Sequence, residues 1–161
     1  MIQWLFETIA GKSIMTFLIS MVPVIELRGG IPYGISQDLE PWLAYTMSVL
    51  GNMVPVPFIL LFIRKILHWM KRYPNLGRIA EKLEARAERK SGKVRKSELV
   101  GLCILVALPL PGTGAWTGAL VAALMEMRLK RAIPTIFLGV LIAALLVTLA
   151  LTSVQALRFL A

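Results

Sequence analysis

A pair of opposite charges inside a long apolar segment constrains this chain most. Glu26 and Arg28 lie two residues apart within the apolar run 13–35, in a stretch, residues 23–32, that has a proline at each end and two glycines. A charge at the centre of a bilayer costs about 2.5–3.5 kcal/mol on insertion scales, so such a residue usually has a function. The prolines and glycines predict an interrupted helix, which lipid tolerates only where protein or water covers it. We expect residues 109–116 to be the partner of this stretch.

The composition is that of an integral membrane protein. The chain is 57% hydrophobic with a mean hydropathy of +0.73, whereas soluble domains are roughly 45–50% apolar. Of the 18 Lys and Arg residues, 12 lie in residues 64–96. The positive-inside rule places such a segment in the cytoplasm. The net charge therefore indicates membrane topology rather than nucleic-acid binding. We expect the chain to lie in the cytoplasmic (inner) membrane, with the linker 64–98 on the cytoplasmic side.

Segment lengths predict two membrane repeats joined by a linker. Each repeat combines a helical hairpin, too short in each arm to cross the roughly 30 Å hydrocarbon core, with one uncharged span of sufficient length. The predicted ranges are 1–69 for the first repeat (an interfacial helix at 2–10, a hairpin at 13–38, a span at 42–63), 70–98 for the basic linker with an amphipathic helix, and 99–161 for the second repeat (a hairpin at 99–126, a span at 132–157).

The charges favour re-entrant hairpins that form an inverted repeat. The cluster at 126–131 carries three positive residues, and it returns to the cytoplasm only if residues 99–126 turn back within the membrane. Corresponding residues are offset by a nearly constant number, 86 between Pro23 and Pro109 and 88 between Gly51 and Gly139. The predicted fold is an all-α membrane protein of two inverted repeats, each a broken re-entrant hairpin followed by a transmembrane helix. Four plain spans are the alternative.

The two broken stretches form the predicted substrate and coupling site. Half-helix N-termini carry partial positive charge and free N–H groups, which suit an anion. Arg28 adds a planar, bidentate charge, and a desolvated Glu26 could load and release a proton. The alternative is that the two residues only neutralise each other inside the fold. The site residues are Pro23, Glu26, Arg28, Gly29, Gly30, Pro32, Pro109, Pro111, Gly112, Thr113, Gly114 and Trp116.

Other polar and reactive residues predict little further chemistry. Asn52, in the middle of the first span, indicates an interhelical hydrogen bond more than a substrate contact. Cys103 and His68 are each the sole residue of their type, so we expect no metal and no cofactor other than a coupling proton. No nucleophile with a base is visible, so we do not expect an enzyme. A lipid phosphatase acting through Arg28 is a weaker alternative without a nucleophile.

The stretches 23–34 and 109–119 resemble the two signature stretches of the small multidrug export protein family, and the resemblance covers nearly the whole chain. More distantly, the chain is similar to the DedA superfamily. The first resemblance implies a small secondary transporter for an amphipathic, anionic or zwitterionic molecule. The second implies a membrane-embedded acid, arginines, proton coupling and a lipid-linked phosphate as the alternative substrate. A non-transporting scaffold is the third possibility.

A homodimer in the lipid bilayer is the expected assembly. Two spans and two half-depth hairpins would expose broken backbone to lipid in a monomer. Small residues at 112–123 would allow a second copy to approach closely.

Overall fold

The computed structural model describes residues 8–70, 95–110 and 113–160. Every regular element in these residues is a helix. In chain order they are α1 (Ile9–Met21), α2 (Glu26–Ser36), α3 (Pro41–Met53), α4 (Pro55–Met70), α5 (Arg95–Ala107), α6 (Ala115–Leu124) and α7 (Leu129–Leu160). The predicted amphipathic helix of the linker, and residues 2–7 of the predicted interfacial helix, lie outside the described residues, whereas residues 9–10 belong to α1.

Two helical segments among the described residues are long and apolar enough to cross a membrane: Pro41–Ile66, formed by α3 and α4, and Leu129–Val154 within α7. The first is interrupted at Val54, because Pro55 and Pro57 supply no N–H to the helical ladder. Large apolar side chains such as Phe58 are exposed on these helices, as expected for surfaces that face lipid. The described part of the chain is all-helical, and its two long apolar helices are those of a membrane protein.

The first interruption lies earlier than the sequence predicted. The helix stops after Met21 and starts again at Glu26, so Gly29, Gly30 and Pro32 belong to α2. Our expectation that these residues unwind the backbone is wrong. The turn is made by non-glycine residues with positive φ, Val24 at 76° and Glu26 at 50°.

The second interruption lies where the sequence predicted it. Helix α5 ends at Ala107, before Pro109, and α6 begins at Ala115. A residue that precedes proline is disfavoured in the helical conformation, so the helix ends at or before it. Pro111 and Gly112 lie outside the described residues.

The two halves of the chain repeat the same order of elements and the same close contacts. A Cβ added to Gly51 would lie 2.2 Å from the carbonyl oxygen of Phe17, and one added to Gly139 would lie 2.9 Å from that of Cys103. The glycines are 88 residues apart and the two carbonyls 86. In both halves the long helix therefore approaches the backbone of the first short helix at a glycine, where no side chain intervenes.

The second short helix of each half also packs on the long helix of the other. Helix α2 contacts α7, and α6 contacts α4. The described small residues at and just before α6 that the sequence assigned to a dimer contact are buried within the single chain: Gly114, Gly118, Ala119, Ala122 and Ala123. They therefore give no support to a homodimer, which stays a prediction.

We expect Val24→Gly to stabilise the turn between α1 and α2. A left-handed conformation costs an L-residue about 1–2 kcal/mol, more for a β-branched one, and costs glycine almost nothing. Because Val24 is 90% exposed, little packing is lost, and the free energy of unfolding should rise by about 1 kcal/mol. Thermal unfolding in detergent micelles measures it. Val22→Gly is the control, since φ of Val22 is −71°. A lower midpoint for Val24→Gly would contradict the turn geometry.

Candidate functional site

Glu26 is the buried acid of the site. Its side chain is only 3% exposed, although it is the first residue of α2. One carboxylate oxygen, Oε1, accepts a hydrogen bond of 3.2 Å from the backbone N–H of Trp116. The sequence separation of 90 residues means that a charge from the first half of the chain is held by the second half.

The carboxylate acts as the cap of helix α6. The residue at the cap position is Gly114, which has no side chain to accept a hydrogen bond from the first turn. Trp116 is the second helical residue, whose N–H a capping side chain ordinarily binds. Glu26 supplies that acceptor from another helix, at the end where the helix dipole favours a negative charge.

Gly114 makes room for this acid. Its φ of 138° lies in a region that L-residues rarely adopt. A Cβ at this position would lie 2.0 Å from Oε2 of Glu26, well inside van der Waals contact. Only glycine therefore meets both the backbone conformation and the approach of the carboxylate.

Arg28 holds the other side of the same interruption. Its Nη2 donates to the carbonyl oxygen of Leu108 and to the hydroxyl of Thr113, both at 2.9 Å, and its Nη1 donates to the carbonyl oxygen of Thr113. Leu108 directly follows the last residue of α5. Its carbonyl belongs to the helix end that lacks intrahelical partners and carries partial negative charge.

The two charges thus compensate the two helix ends of the opposite interruption. The acid binds the positive end of α6, and the guanidinium binds the negative end of α5. Within the described residues, the side-chain hydrogen bonds of Glu26 and Arg28 go to the second half of the chain and not to each other. The two charges still act on each other through space, so mutual neutralisation stays an alternative to a functional role.

Two buried donors at the site have no partner among the described residues. They are Nε of Arg28 and Nε1 of Trp116. A buried donor without an acceptor costs about 1–3 kcal/mol, so a group that accepts hydrogen bonds is the complement of this site. The hydroxyl of Tyr33, on the same helix as Arg28, is likewise buried without a partner in the described chain.

The structure brings together only part of the predicted residue set. Glu26 and Arg28 meet Thr113, Gly114 and Trp116 directly. The others differ in their roles: Pro23 lies in the turn before α2, Gly29, Gly30 and Pro32 lie within α2, Pro109 follows α5, and Pro111 and Gly112 are outside the described residues.

Sequence reasoning missed the carbonyl group of Leu108 as a partner of Arg28. The signal was present, because a residue that directly precedes a proline is a common place for a helix to end. An arginine in an apolar segment needs acceptors, and the open carbonyls of a helix end supply them.

The fold and the site define a class: a small helical membrane protein whose interrupted helices meet through an embedded acid and an arginine. The sequence matches the family described as "Putative small multi-drug export protein" over residues 26–146, which is 121 of the 161 residues. The chain belongs to this family. No curated protein and no solved structure matches the chain, and the more distant DedA resemblance stays a prediction.

We expect Gly114→Ala to disrupt the seat of Glu26. The added methyl group would collide with the carboxylate and strain the backbone. The free energy of unfolding should therefore fall by roughly 2–3 kcal/mol or more. Gly101→Ala is the matched control, since a Cβ there meets nothing within 4 Å and the residue lies in helix α5. That variant should gain up to about 1 kcal/mol from helix propensity. Equal unfolding midpoints for the two variants would contradict the geometry.

Proposed function

We propose that the protein is a proton-coupled secondary transporter for a small amphipathic molecule with an anionic or zwitterionic group. The observation that carries the proposal is a buried acid, Glu26, together with two other site residues, Arg28 and Trp116, whose side-chain donors Nε and Nε1 are buried without a partner among the described residues. Family membership supports a role in export. No catalytic step is assigned to the site.

Competition for the N-terminus of α6 would couple the proton to the substrate. With its carboxylate charged, Glu26 occupies that helix end through the N–H of Trp116. Protonation removes the negative charge, so the attraction to the helix dipole falls. The N–H groups of α6 then become available to an anionic group of the substrate. The proton and the anion therefore bind together, and the charged acid and the anion exclude each other.

Arg28 would hold the substrate's negative group on the other side. Its two Nη atoms are engaged by Leu108 and Thr113, which fixes the guanidinium plane and leaves the buried Nε without a partner among the described residues. A planar group with five donors can keep these bonds and still bind an anion. Lysine, with one ammonium group, cannot do both.

The sign of the coupling depends on the substrate's charge. An anionic group binds with the proton, so an inward proton gradient drives both inward, and export occurs only when the outward driving force on the substrate exceeds the inward driving force on the proton. A cationic group would instead sit against the charged carboxylate and exchange with the proton. The proposal commits to the anionic group, and a lipid-linked phosphate is the alternative substrate of the same charge.

We further propose that the paired short helices re-enter the membrane and that the halves form an inverted repeat. Support comes from the lengths of α1, α2 and α6, which have 13, 11 and 10 residues. At 1.5 Å per residue they span about half of the hydrocarbon core. The long helices of each half have the length of a full span.

We expect Glu26→Gln to abolish proton-driven flux while substrate binding is largely retained, because the amide keeps the shape and hydrogen bonding but cannot titrate. Arg28→Lys should weaken binding by about tenfold or more, since hydrogen bonds to charged groups contribute about 1.5–3 kcal/mol. Flux in proteoliposomes under an imposed pH gradient measures both effects, the loss of proton-driven transport and the weaker binding. The probes are an amphipathic anion, an amphipathic cation and a short-chain lipid phosphate.

Arg131→Lys is the control for the arginine variant, because Arg131 is exposed in the first turn of α7. A purely structural pair would behave differently: both single variants would misfold, and Glu26→Gln combined with Arg28→Gln would restore folded protein with flux intact. That rescue would contradict the coupling role. Folded protein that moves none of the probes would favour the scaffold.

We expect cysteines placed at positions 90 and 129, after Cys103→Ser, to be labelled from the same side of the membrane. Re-entry of α5 and α6 returns the chain to the side where the linker lies, and the positive-inside rule makes that side the cytoplasm. Membrane-impermeant maleimide applied to oriented vesicles measures it. Labelling from opposite sides would show that residues 99–126 cross completely and would contradict the inverted repeat.

A further inference from the structure

A column of buried polar side chains lies where α1, α2 and α3 meet. Its members are fully buried and carry a hydroxyl or an amide: Thr16, Ser20, Ser48 and Asn52. The Cβ position of Gly30 lies 1.8 Å from Ser20 Oγ and 2.9 Å from Ser48 Oγ, and that of Gly34 lies 3.0 Å from Thr16 Oγ1. The column therefore follows the glycine face of α2.

This column leads to the level of Glu26 at the start of α2. Glu26 lies four residues before Gly30, which is about one helical turn. On the facing helix α3, Ala44 contacts the Cβ position of Gly34 and Ser48 that of Gly30. The two helices run antiparallel. If the pairing is continued by one more helical turn along each of them, Asn52 of α3 lies at the level of Glu26.

Two members of the column have no protein partner in the described chain. Both Oδ1 and Nδ2 of Asn52, and Oγ of Ser48, lack a hydrogen bond although both side chains are fully buried. The interhelical hydrogen bond that the sequence predicted for Asn52 is absent from the described residues. An amide needs a ligand that both donates and accepts. Water does both, whereas a monatomic cation would satisfy only the oxygens.

The second half of the chain shows that packing does not require these polar groups. Gly118, which is 88 residues after Gly30, meets only apolar side chains, those of Val106, Leu102 and Ile136. Val106 and Leu102 follow Ser20 and Thr16 by 86 residues, and Ile136 follows Ser48 by 88. Val140 corresponds to Asn52 by the same offset and is buried. One interface is polar and its counterpart is apolar.

The other end of the column leads to the polar surface. Ser20 Oγ donates to the carbonyl of Thr16 and Thr16 Oγ1 to that of Lys12, both at 2.8 Å, so both hydroxyl oxygens keep acceptor capacity. Lys12 Nζ donates at 2.7 Å to the carbonyl of Gln37, directly after α2. Asp38, the next residue, is exposed.

We propose that this column binds a file of water molecules that conducts protons between Glu26 and the surface at Lys12 and Gln37. Buried water commonly satisfies polar groups that lack protein partners, and chains of polar groups inside membranes mark proton paths. The inference rests on the proposed function in taking Glu26 as the proton-binding group. The second half, apolar at the equivalent positions, has no such path.

The charged groups around Glu26 are few. Arg28 acts on it from the same helix, and α6 presents the N–H of Trp116. Helix α1 contributes only Lys12, at the far end of the column, and α3 has no charged residue. Helix α7 also packs on α2; its charged residues with described side chains, Lys130 and Arg131, are exposed in its first turn.

Infrared spectroscopy of the full chain in phosphatidylcholine–phosphatidylglycerol vesicles tests the path without any transported substrate. The carboxyl stretch of protonated Glu26, assigned by its loss in Glu26→Gln, shifts when deuterium replaces the proton after transfer to heavy water. Asn52→Leu and Ser48→Ala should each slow this exchange by about tenfold, the factor expected for one lost hydrogen bond. Thr46→Ala is the control, because Thr46 is exposed on the same helix and bonded to the carbonyl of Trp42.

The outcomes separate the path from the transport proposal. Both path variants should stay folded, because the second half of the chain packs apolar side chains, Ile136 and Val140, at the equivalent positions; if Asn52→Leu does not fold, Ser48→Ala carries the test. Wild-type exchange rates in folded variants would overturn the path alone. Absence of the Glu26 carboxyl band at every pH would overturn both the path and the coupling. Slowed exchange with flux that ignores a pH gradient would leave the path standing and overturn coupled transport.

Discussion

The hydrogen bond from the N–H of Trp116 to the carboxylate of Glu26 is the contact on which the arrangement of the two halves depends. An interrupted helix inside a membrane leaves N–H and C=O groups without water to satisfy them. Here the interruption between α5 and α6 is completed by charges from α2, the acid at one end and Arg28 at the other. A residue pair two positions apart thus closes both ends of a distant helix break.

In the proposed transporter, this contact would make structure and proton coupling inseparable at one position. The same carboxylate that caps α6 is the group that can take a proton, so its protonation state must influence how firmly the halves are joined. Protonation changes the electrostatic component of this contact. The steric component stays fixed, because no side chain larger than that of Gly114 fits beside Glu26. A transporter needs such an element, whose two states differ by an amount that a ligand's binding energy can supply.

Much of the fold follows from local sequence signals. Pro109 predicted the end of α5, and uncharged length predicted both long helices. Pro55 and Pro57 account for the interruption between α3 and α4. Glycine was less informative, because the sequence does not distinguish a glycine that forms a turn from one that allows close helix packing. Gly30 lies inside a helix, against two serine hydroxyls, while Val24 takes the positive φ.

The candidate site was predictable in its residue types but not in its pairing. Glu26, Arg28 and the stretch around Thr113 were recognisable as charges and helix breaks within apolar segments. That Arg28 reaches Leu108, and that Asn52 lacks a partner among the described residues, depends on the packing of helices that are far apart in sequence. No local propensity carries that information.

Hydrogen–deuterium exchange at the backbone amide of Trp116, followed by NMR in lipid nanodiscs, tests the central contact most directly. The account predicts that this amide is protected in the wild type and that Glu26→Ala accelerates its exchange by about tenfold or more, in line with one lost charge-assisted hydrogen bond. The amides in the middle of α7 should be unaffected. Equal protection at Trp116 in both proteins would contradict the proposed capping of α6 by Glu26.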